Sequence, residues 1–163
     1  MLDDILADGL KVVFVGMAAG KVSARKHEYY GNKGNRFWEM LYSVGLTTRR
    51  YESKEFRDLP ELGFGLTDLC KTQAGMDRMI PDSEVDVETF DQKILARKPR
   101  VVAFNGKRLG LIWLRYYSLK WPGYGMIPSR PPEFPEIFVL PSTSASNGHW
   151  DVEPWKQLSR FLK

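Results

Sequence analysis

Residues 12–38, VVFVGMAAGKVSARKHEYYGNKGNRFW, decide how the rest of the chain is read. Val12 to Val15 form a short apolar run that breaks at once into a small-residue turn, Gly16 to Gly20. This predicts a buried strand whose end opens into a site, because small residues let a ligand approach the backbone closely. Arg25, Lys26 and His27 follow, then Tyr29 and Tyr30, then a glycine- and asparagine-rich bend that leads into Phe37 and Trp38. Basic, aromatic and flexible elements therefore gather just beyond one strand. From Asn35 to Val44 the apolar residues Phe37, Trp38, Leu41 and Val44 recur at three and four, the spacing of one buried helix face, with Gly45 as its stop.

Working outward, 163 residues give one domain with a real core, and 43% hydrophobic with 27% charged residues is the balance of a soluble globular fold. No apolar stretch reaches the roughly 18 residues of a membrane span, and the acidic N-terminus lacks the features of a signal peptide. A cytosolic protein is expected. Cys70 is the single cysteine, and His27 and His149 are the two histidines, so neither an internal disulfide nor a zinc site is expected. The net charge of +4 favours an anionic partner without identifying it.

Residues 1–10 read as a helical turn. Phe56, Leu59 and Leu62 lead toward GFGLTDLCKT, residues 63–72, in which Asp68 ends a short apolar run. A mobile crossing is expected at 73–82, which holds Gly75, Asp77 and Pro81, and a helix from Val85 to Leu95. Pro99 to Phe104 is the clearest later strand, its apolar run Val101 to Phe104 ending in Asn105 and Gly106, and Lys107 to Tyr117 reads as helical. Residues 121–135 hold five of the ten prolines and should form an ordered excursion, not a helix. Ile137 to Leu140 is the last apolar run, and Trp155 to Leu162 a closing helix. Short apolar runs alternating with helical stretches predict a three-layer α/β/α domain over 1–163 with a mostly parallel sheet. In such a sheet the ligand crevice lies at the carboxyl ends of the strands, so the turns after 12–15, 101–104 and 137–140 converge there with Asp68.

The turn at 16–20 fails as a phosphate loop: three residues separate its glycines instead of four, and Val22 stands where Ser or Thr would hold magnesium. Asp68 by itself is as well read as a helix cap or loop hydrogen bond as a catalytic group. Tyr30 is either a stacking surface or a core aromatic. Asn35 has an amide able to pair with both an acceptor and a donor, and it can equally cap a helix.

Two ordered motifs carry a family resemblance. Tyr30-Gly31-Asn32-Lys33-Gly34-Asn35-Arg36-Phe37-Trp38 resembles the aromatic, glycine-containing bend of the mismatch-specific uracil-DNA and thymine-DNA glycosylases, within the uracil-DNA glycosylase superfamily. Val139-Leu140-Pro141-Ser142-Thr143-Ser144-Ala145-Ser146 is similar to the late serine-rich loop that enters the DNA minor groove in that family. The resemblance implies a uracil-DNA glycosylase-like fold and a monomeric, cofactor-free hydrolase acting on uracil- or mismatch-containing DNA. It departs from the family pattern in Gly16-Met17-Ala18-Ala19-Gly20, where Ala18 replaces the asparagine that orients the hydrolytic water. Relatives in the superfamily place a carboxylate at the end of the second strand instead, and Asp68 fits that arrangement.

The resemblance thus implies Asp68 as the catalytic residue. Gly16, Met17, Ala18, Ala19, Gly20, Tyr30 and Asn35 form the base pocket. Lys21, Arg25, Lys26, Lys33, Ser142, Thr143, Ser144, Ser146, Asn147 and His149 contact DNA, with a solvated charged face the alternative for the basic residues. Cleaving a deoxyribosyl C1′–N bond develops positive charge on the sugar and negative charge on the leaving base. An ionised Asp68 can orient water and stabilise the sugar cation while N–H groups near 17–20 hold the base. Ser146 is small for a wedge that fills the gap left by a flipped nucleotide, with Asn147 or His149 as substitutes. Without the usual asparagine, a catalytically weakened damaged-DNA binding protein is the alternative, and a hydrolase of free nucleosides a third.

Overall fold

Val12–Gly16 forms strand β1, buried along its whole length. Its side chains alternate between two apolar layers. Val12 and Phe14 enter one with Phe37, Trp38, Leu41, Trp155 and Leu158, while Val13 and Val15 enter the other with Phe90, Ile94, Leu109 and Trp113. A strand apolar on both faces must be covered on both, which is why this run reads as continuous rather than alternating. The computed structural model describes residues 2–18, 21–70, 81–148 and 151–163, and only the backbone of Lys21 and Glu84.

The remaining strands are β2 (Phe64–Asp68), β3 (Val101–Asn105), β4 (Gly125–Met126) and β5 (Glu136–Leu140), in the sheet order β2-β1-β3-β5-β4. β1, β2, β3 and β5 run parallel, and β4 pairs antiparallel with β5. The helices are α1 (Lys21–Lys26), α2 (Phe37–Ser43), α3 (Val87–Arg97), α4 (Lys107–Tyr116) and α5 (Glu153–Leu162). α2 and α5 supply the first apolar layer, α3 and α4 the second. The expected three-layer α/β/α arrangement with a mostly parallel sheet is the one found. Its consequence for function is that four strands end at the same edge, with Gly16 opposite Asp68 and Asn105 opposite Leu140.

Residues 2–10 depart from the helical turn expected there. Ile5 instead pairs antiparallel with Leu66 through two hydrogen bonds of 2.9 Å. The physical reason is the outer edge of β2, whose backbone groups need partners that an isolated helical turn would not supply. Asp4 adds a polar tie, accepting from Thr67 at 2.6 Å and from Lys93 at 2.9 Å.

Helix boundaries moved where side chains compete for backbone donors. α2 starts at Phe37, not Asn35, because the Asn35 Oδ1 accepts the Phe37 N–H at 3.0 Å and turns the chain into the helix from outside it. Gly45 ends this segment with φ +80°, a left-handed position that glycine adopts without strain. α3 begins at Val87 because Asp86 accepts the Thr89 N–H at 3.0 Å, and it extends to Arg97. Phe56, Leu59 and Leu62 lie on a 3-10 helix over Ser53–Leu62, whose three-residue turn matches their spacing. Within 121–135 the chain contributes the short β4, and the expected crossing at 73–82 lies outside the described residues up to residue 80.

Candidate active site

The edge where the parallel strands end brings Gly16, Asp68 and Tyr30 together. Asp68 is 5% exposed, and its carboxylate lies across the end of β1. A Cβ built on Gly16 would stand 2.7 Å from Asp68 Oδ1 and 3.4 Å from the Tyr30 hydroxyl. Glycine at this position is therefore what lets a carboxylate and a phenol share one corner. The ends of β1 and β2 stay joined past the strands, since Leu69 N–H donates to the Gly16 carbonyl at 2.8 Å and Cys70 N–H to that of Met17 at 2.7 Å.

Tyr30 is held with φ +52°, a left-handed conformation that costs a non-glycine residue of order 1–3 kcal/mol. Its ring lies on Phe37 with centroids 4.0 Å apart and planes 23° apart, so the first residue of α2 backs it. The bend around it is pinned by Gly31 N–H donating to Ser23 Oγ at 2.8 Å and by the Trp38 indole N–H donating to the Tyr29 carbonyl at 3.2 Å. Tyr29 is buried; burial first, and then the charge of Asp68, pushes its phenol up from the ordinary value. It stays a neutral donor, 3.0 Å from the Asp3 carbonyl.

A second set of polar side chains joins three strand-end segments. Thr143 N–H donates to Asn105 Oδ1 at 3.1 Å, and Asn105 Nδ2 donates back to Thr143 Oγ1 at 2.8 Å. The Thr143 hydroxyl then donates to Asn35 Oδ1 at 2.8 Å, and Arg36 N–H donates to the Thr143 carbonyl at 2.9 Å. A Cβ on Gly34 would meet that of Ala145 at 2.8 Å, so the 31–36 bend and the 142–147 loop touch without room for a larger residue. The two stretches that resemble a family motif are thus one surface in space, although more than a hundred residues separate Asn35 from Thr143.

The loop after β5 is stiffened by its own serines. Ser144 N–H donates to Ser142 Oγ at 3.1 Å, Ser144 and Ser146 hydroxyls lie 2.9 Å apart, and Asn147 Nδ2 donates to the Ser142 carbonyl at 2.9 Å. Ala145 and Ser146 are exposed at its tip, while Ser142, Ser144 and Asn147 are half-buried. Thr143 is fully buried, with its hydroxyl engaged on both sides, which leaves it no surface for the direct DNA contact expected from sequence. The Met17 side chain is buried in the apolar layer of α3 and α4, which leaves its backbone as the part that faces the strand ends, the part expected to serve the pocket.

Ala18 is half-buried; Arg25, Lys26 and Lys33 are exposed, and Lys26 Nζ reaches back to the Gly31 carbonyl at 3.2 Å. Ala19, Gly20 and His149 lie outside the described residues, as does the Lys21 side chain. Sequence reasoning missed Asn105 as a site residue. Its signal was modest: a polar residue closing an otherwise apolar strand, at the edge where the other candidates cluster. Among the described residues no three His, Cys, Asp or Glu side chains group to hold a metal ion, and no helix is long and apolar enough to cross a membrane.

The family model for the uracil DNA glycosylase superfamily matches residues 4–163. A solved structure similar to this chain is the solution NMR structure of a Methanosarcina acetivorans protein provisionally assigned as a uracil DNA glycosylase. The match covers 99% of this chain and 96% of that one, with 23% sequence identity and a TM-score of 0.64. At that identity the likeness speaks for the fold. The strand-end carboxylate, the stacked tyrosine and the family match over nearly the whole sequence lead to one conclusion: this chain belongs to the uracil-DNA glycosylase superfamily.

Proposed function

We propose that this protein is a monofunctional DNA glycosylase that hydrolyses the N-glycosidic bond of uracil, and of related deaminated or damaged bases, in DNA. The observation that carries the reading is the Asp68 carboxylate laid over Gly16 beside Tyr30, at the edge where ligands enter a parallel sheet. A base inside a duplex is out of reach of such a corner, so the nucleotide must be extruded into it. Tyr30, backed by Phe37, offers a stacking face to the extruded base.

Asp68 takes the catalytic role. Ionised, it accepts a hydrogen bond from a water and aims its lone pair at C1′, and its charge stabilises the oxocarbenium-like sugar as the C1′–N bond breaks. The water's oxygen bonds to C1′ as one of its protons passes to the Asp68 carboxylate, the C1′–N bonding pair leaves with the base, and donors at the pocket wall hold that negative charge. Ala18 has no side-chain amide to place the water, which leaves the task to the carboxylate. Arg25, Lys26 and Lys33 supply phosphate contacts from the exposed rim, and the Ser144 to Asn147 tip enters the gap in the duplex. Within the superfamily our reading is the mismatch-specific branch, acting as a cytosolic monomer, on the strength of the motifs at 30–38 and 139–146.

The test is single-turnover cleavage, in EDTA, of labelled duplexes with uracil opposite guanine or adenine and of single-stranded uracil DNA, by wild type and Asp68→Asn. Cleavage lost in the variant with DNA binding retained supports hydrolysis by Asp68. Unchanged cleavage in the variant removes Asp68 from the mechanism. Tight binding of uracil DNA without any cleavage by wild type would favour the binding-only alternative.

A further inference from the structure

β2 stands at the edge of the sheet, with β1 as its one neighbour among the described strands, and Asp68 is its last residue. A carboxylate at the end of an edge strand has a ladder on one side only, so its placement depends on what covers the open side. Residues 2–5 cover it, fastened in three directions. Along the edge, Ile5 and Leu66 exchange two backbone hydrogen bonds of 2.9 Å. On the face that holds Tyr30, the buried Tyr29 hydroxyl donates to the Asp3 carbonyl at 3.0 Å, and Leu2 is buried in the same apolar layer. On the opposite face, the Asp4 carboxylate meets Thr67 of β2 and Lys93 of α3.

The protons of that last set are assigned by chemistry. Lys93 Nζ can only donate and an ionised Asp4 only accept, so the Thr67 hydroxyl accepts from Lys93 at 2.9 Å and donates to Asp4 Oδ1 at 2.6 Å. Lys93 closes the triangle on Asp4 Oδ2 at 2.9 Å, which makes both ties to the carboxylate charge-assisted. Thr67 is fully buried. Side chains alternate along a strand, so Thr67 points to the α3 side while its neighbour Asp68 points to the Tyr30 side. A Thr67 held by two partners therefore fixes the backbone from which Asp68 projects. Burial first, and after it the charges of Asp68 and Asp4, push the Tyr29 phenol up, so both acids lie close to the residue that precedes Tyr30. We propose that Asp4, Thr67 and Lys93 are positioning residues for Asp68, and that residues 2–5 form a strap that sets its carboxylate against Tyr30. Asp3 and Asp4 are consecutive, so the bend that carries Tyr30 and the strand that carries Asp68 are tied to adjacent residues of one segment.

The catalytic part of this inference rests on the proposed glycosylase reading, and the experiment reads the strap both with and without catalysis. Thr67→Val removes the hydroxyl at nearly constant volume, and Thr67→Ser restores it. Lys93→Met removes the cation, and Lys93→Arg restores it. Amide hydrogen exchange of the full-length protein without DNA follows the Leu69 and Cys70 N–H groups, which hold the chain just past Asp68 to the Gly16 and Met17 carbonyls. Thr67→Val and Lys93→Met should speed exchange at these two amides about tenfold, with the β3 amides unchanged, and the Ser and Arg variants should slow it again. Single-turnover cleavage of a uracil:guanine duplex, at saturating protein and well below the melting temperature, should fall about tenfold in the same two variants. Affinity for the uncleaved duplex should stay within about twofold of wild type, and the Ser and Arg variants should recover the rate. Lys93→Met carries the test alone where Thr67→Val melts below the assay temperature.

Exchange at Leu69 and Cys70 that matches wild type in both variants overturns the strap. Faster exchange beside an unchanged cleavage rate reduces the contacts to a structural tie and overturns the positioning role. Faster exchange in the variants of a protein whose wild type cleaves no uracil DNA sinks the glycosylase reading and leaves the strap around Asp68 standing.

Discussion

Gly16→Ala is the sharpest test of the catalytic corner, because its effect on rate and its effect on stability should come apart. The added methyl would stand 2.7 Å from Asp68 Oδ1, closer than non-bonded carbon and oxygen approach, and 3.4 Å from the Tyr30 hydroxyl, an ordinary contact. The carboxylate must therefore retreat by about half an ångström, while Tyr30 can stay where it is. Displacing a reacting group on this scale costs about 10- to 100-fold in rate, or about 1.4–2.7 kcal/mol in the barrier. The stability cost should be small, about 1 kcal/mol, because the atom that moves is the end of a side chain and not backbone. Single-turnover cleavage of a uracil:guanine duplex reads the first quantity without interference from product release, and thermal melting reads the second. A variant that cleaves within twofold of wild type would refute the assignment of Asp68 as the group that directs the water.

Four further outcomes follow from other contacts of the fold. Asp91 is buried between α3 and α4, accepting from the Trp113 indole at 2.9 Å and from the Tyr117 hydroxyl, so Asp91→Ala should cost about 2 kcal/mol or more in chemical denaturation by stranding both donors. Burial raises the Asp91 carboxyl above its ordinary value, so the stability it contributes is present below the unfolded value and lost as pH rises through the folded one. Asp91→Asn, uncharged throughout, should therefore gain in melting temperature relative to wild type as pH rises above the ordinary carboxylate value of about 4, and the opposite trend would mean that the hydrogen bonds to the ionised form outweigh burial. Gly34→Val should push the bend off Ala145 and weaken binding of uracil DNA about tenfold, measured by fluorescence anisotropy, with the melting temperature nearly unchanged. Replacing Arg25 and Lys33 together by Ala should reduce the slope of log binding constant against log salt by up to about 1.8 if each meets one phosphate, and an unchanged slope would return both to a merely solvated face.

Much of the scaffold was legible because its signals are local. A four-residue apolar run such as Val12 to Val15, rich in β-branched residues and bounded by a small-residue turn, reads as a covered strand, and Val101 to Phe104 and Ile137 to Leu140 repeat the short apolar run. Gly45 stopped its helix where glycine was expected to, at φ +80°. The helix starts were less legible, since Asn35 and Asp86 use their own side chains to satisfy the first backbone donors and so stand outside the helices that the apolar spacing would include. The N-terminal residues misled for a different reason: their conformation answers to the open edge of β2, sixty residues away in sequence.

By itself, then, the sequence determined the layer architecture, the strands that carry the site, and the residue types available for chemistry, because hydrophobic period and turn composition act over a few residues. What only the tertiary structure decided is how those residues meet. Asp68 lies over Gly16 because β1 and β2 pair in that register, and Thr143 is an internal tie rather than a DNA contact because β3 ends beside β5. The direction in which Asn35 points its amide follows from donors contributed by Phe37 and Thr143, one two residues away and one across the sheet edge, and no local pattern in a chain encodes a hydrogen bond of that range.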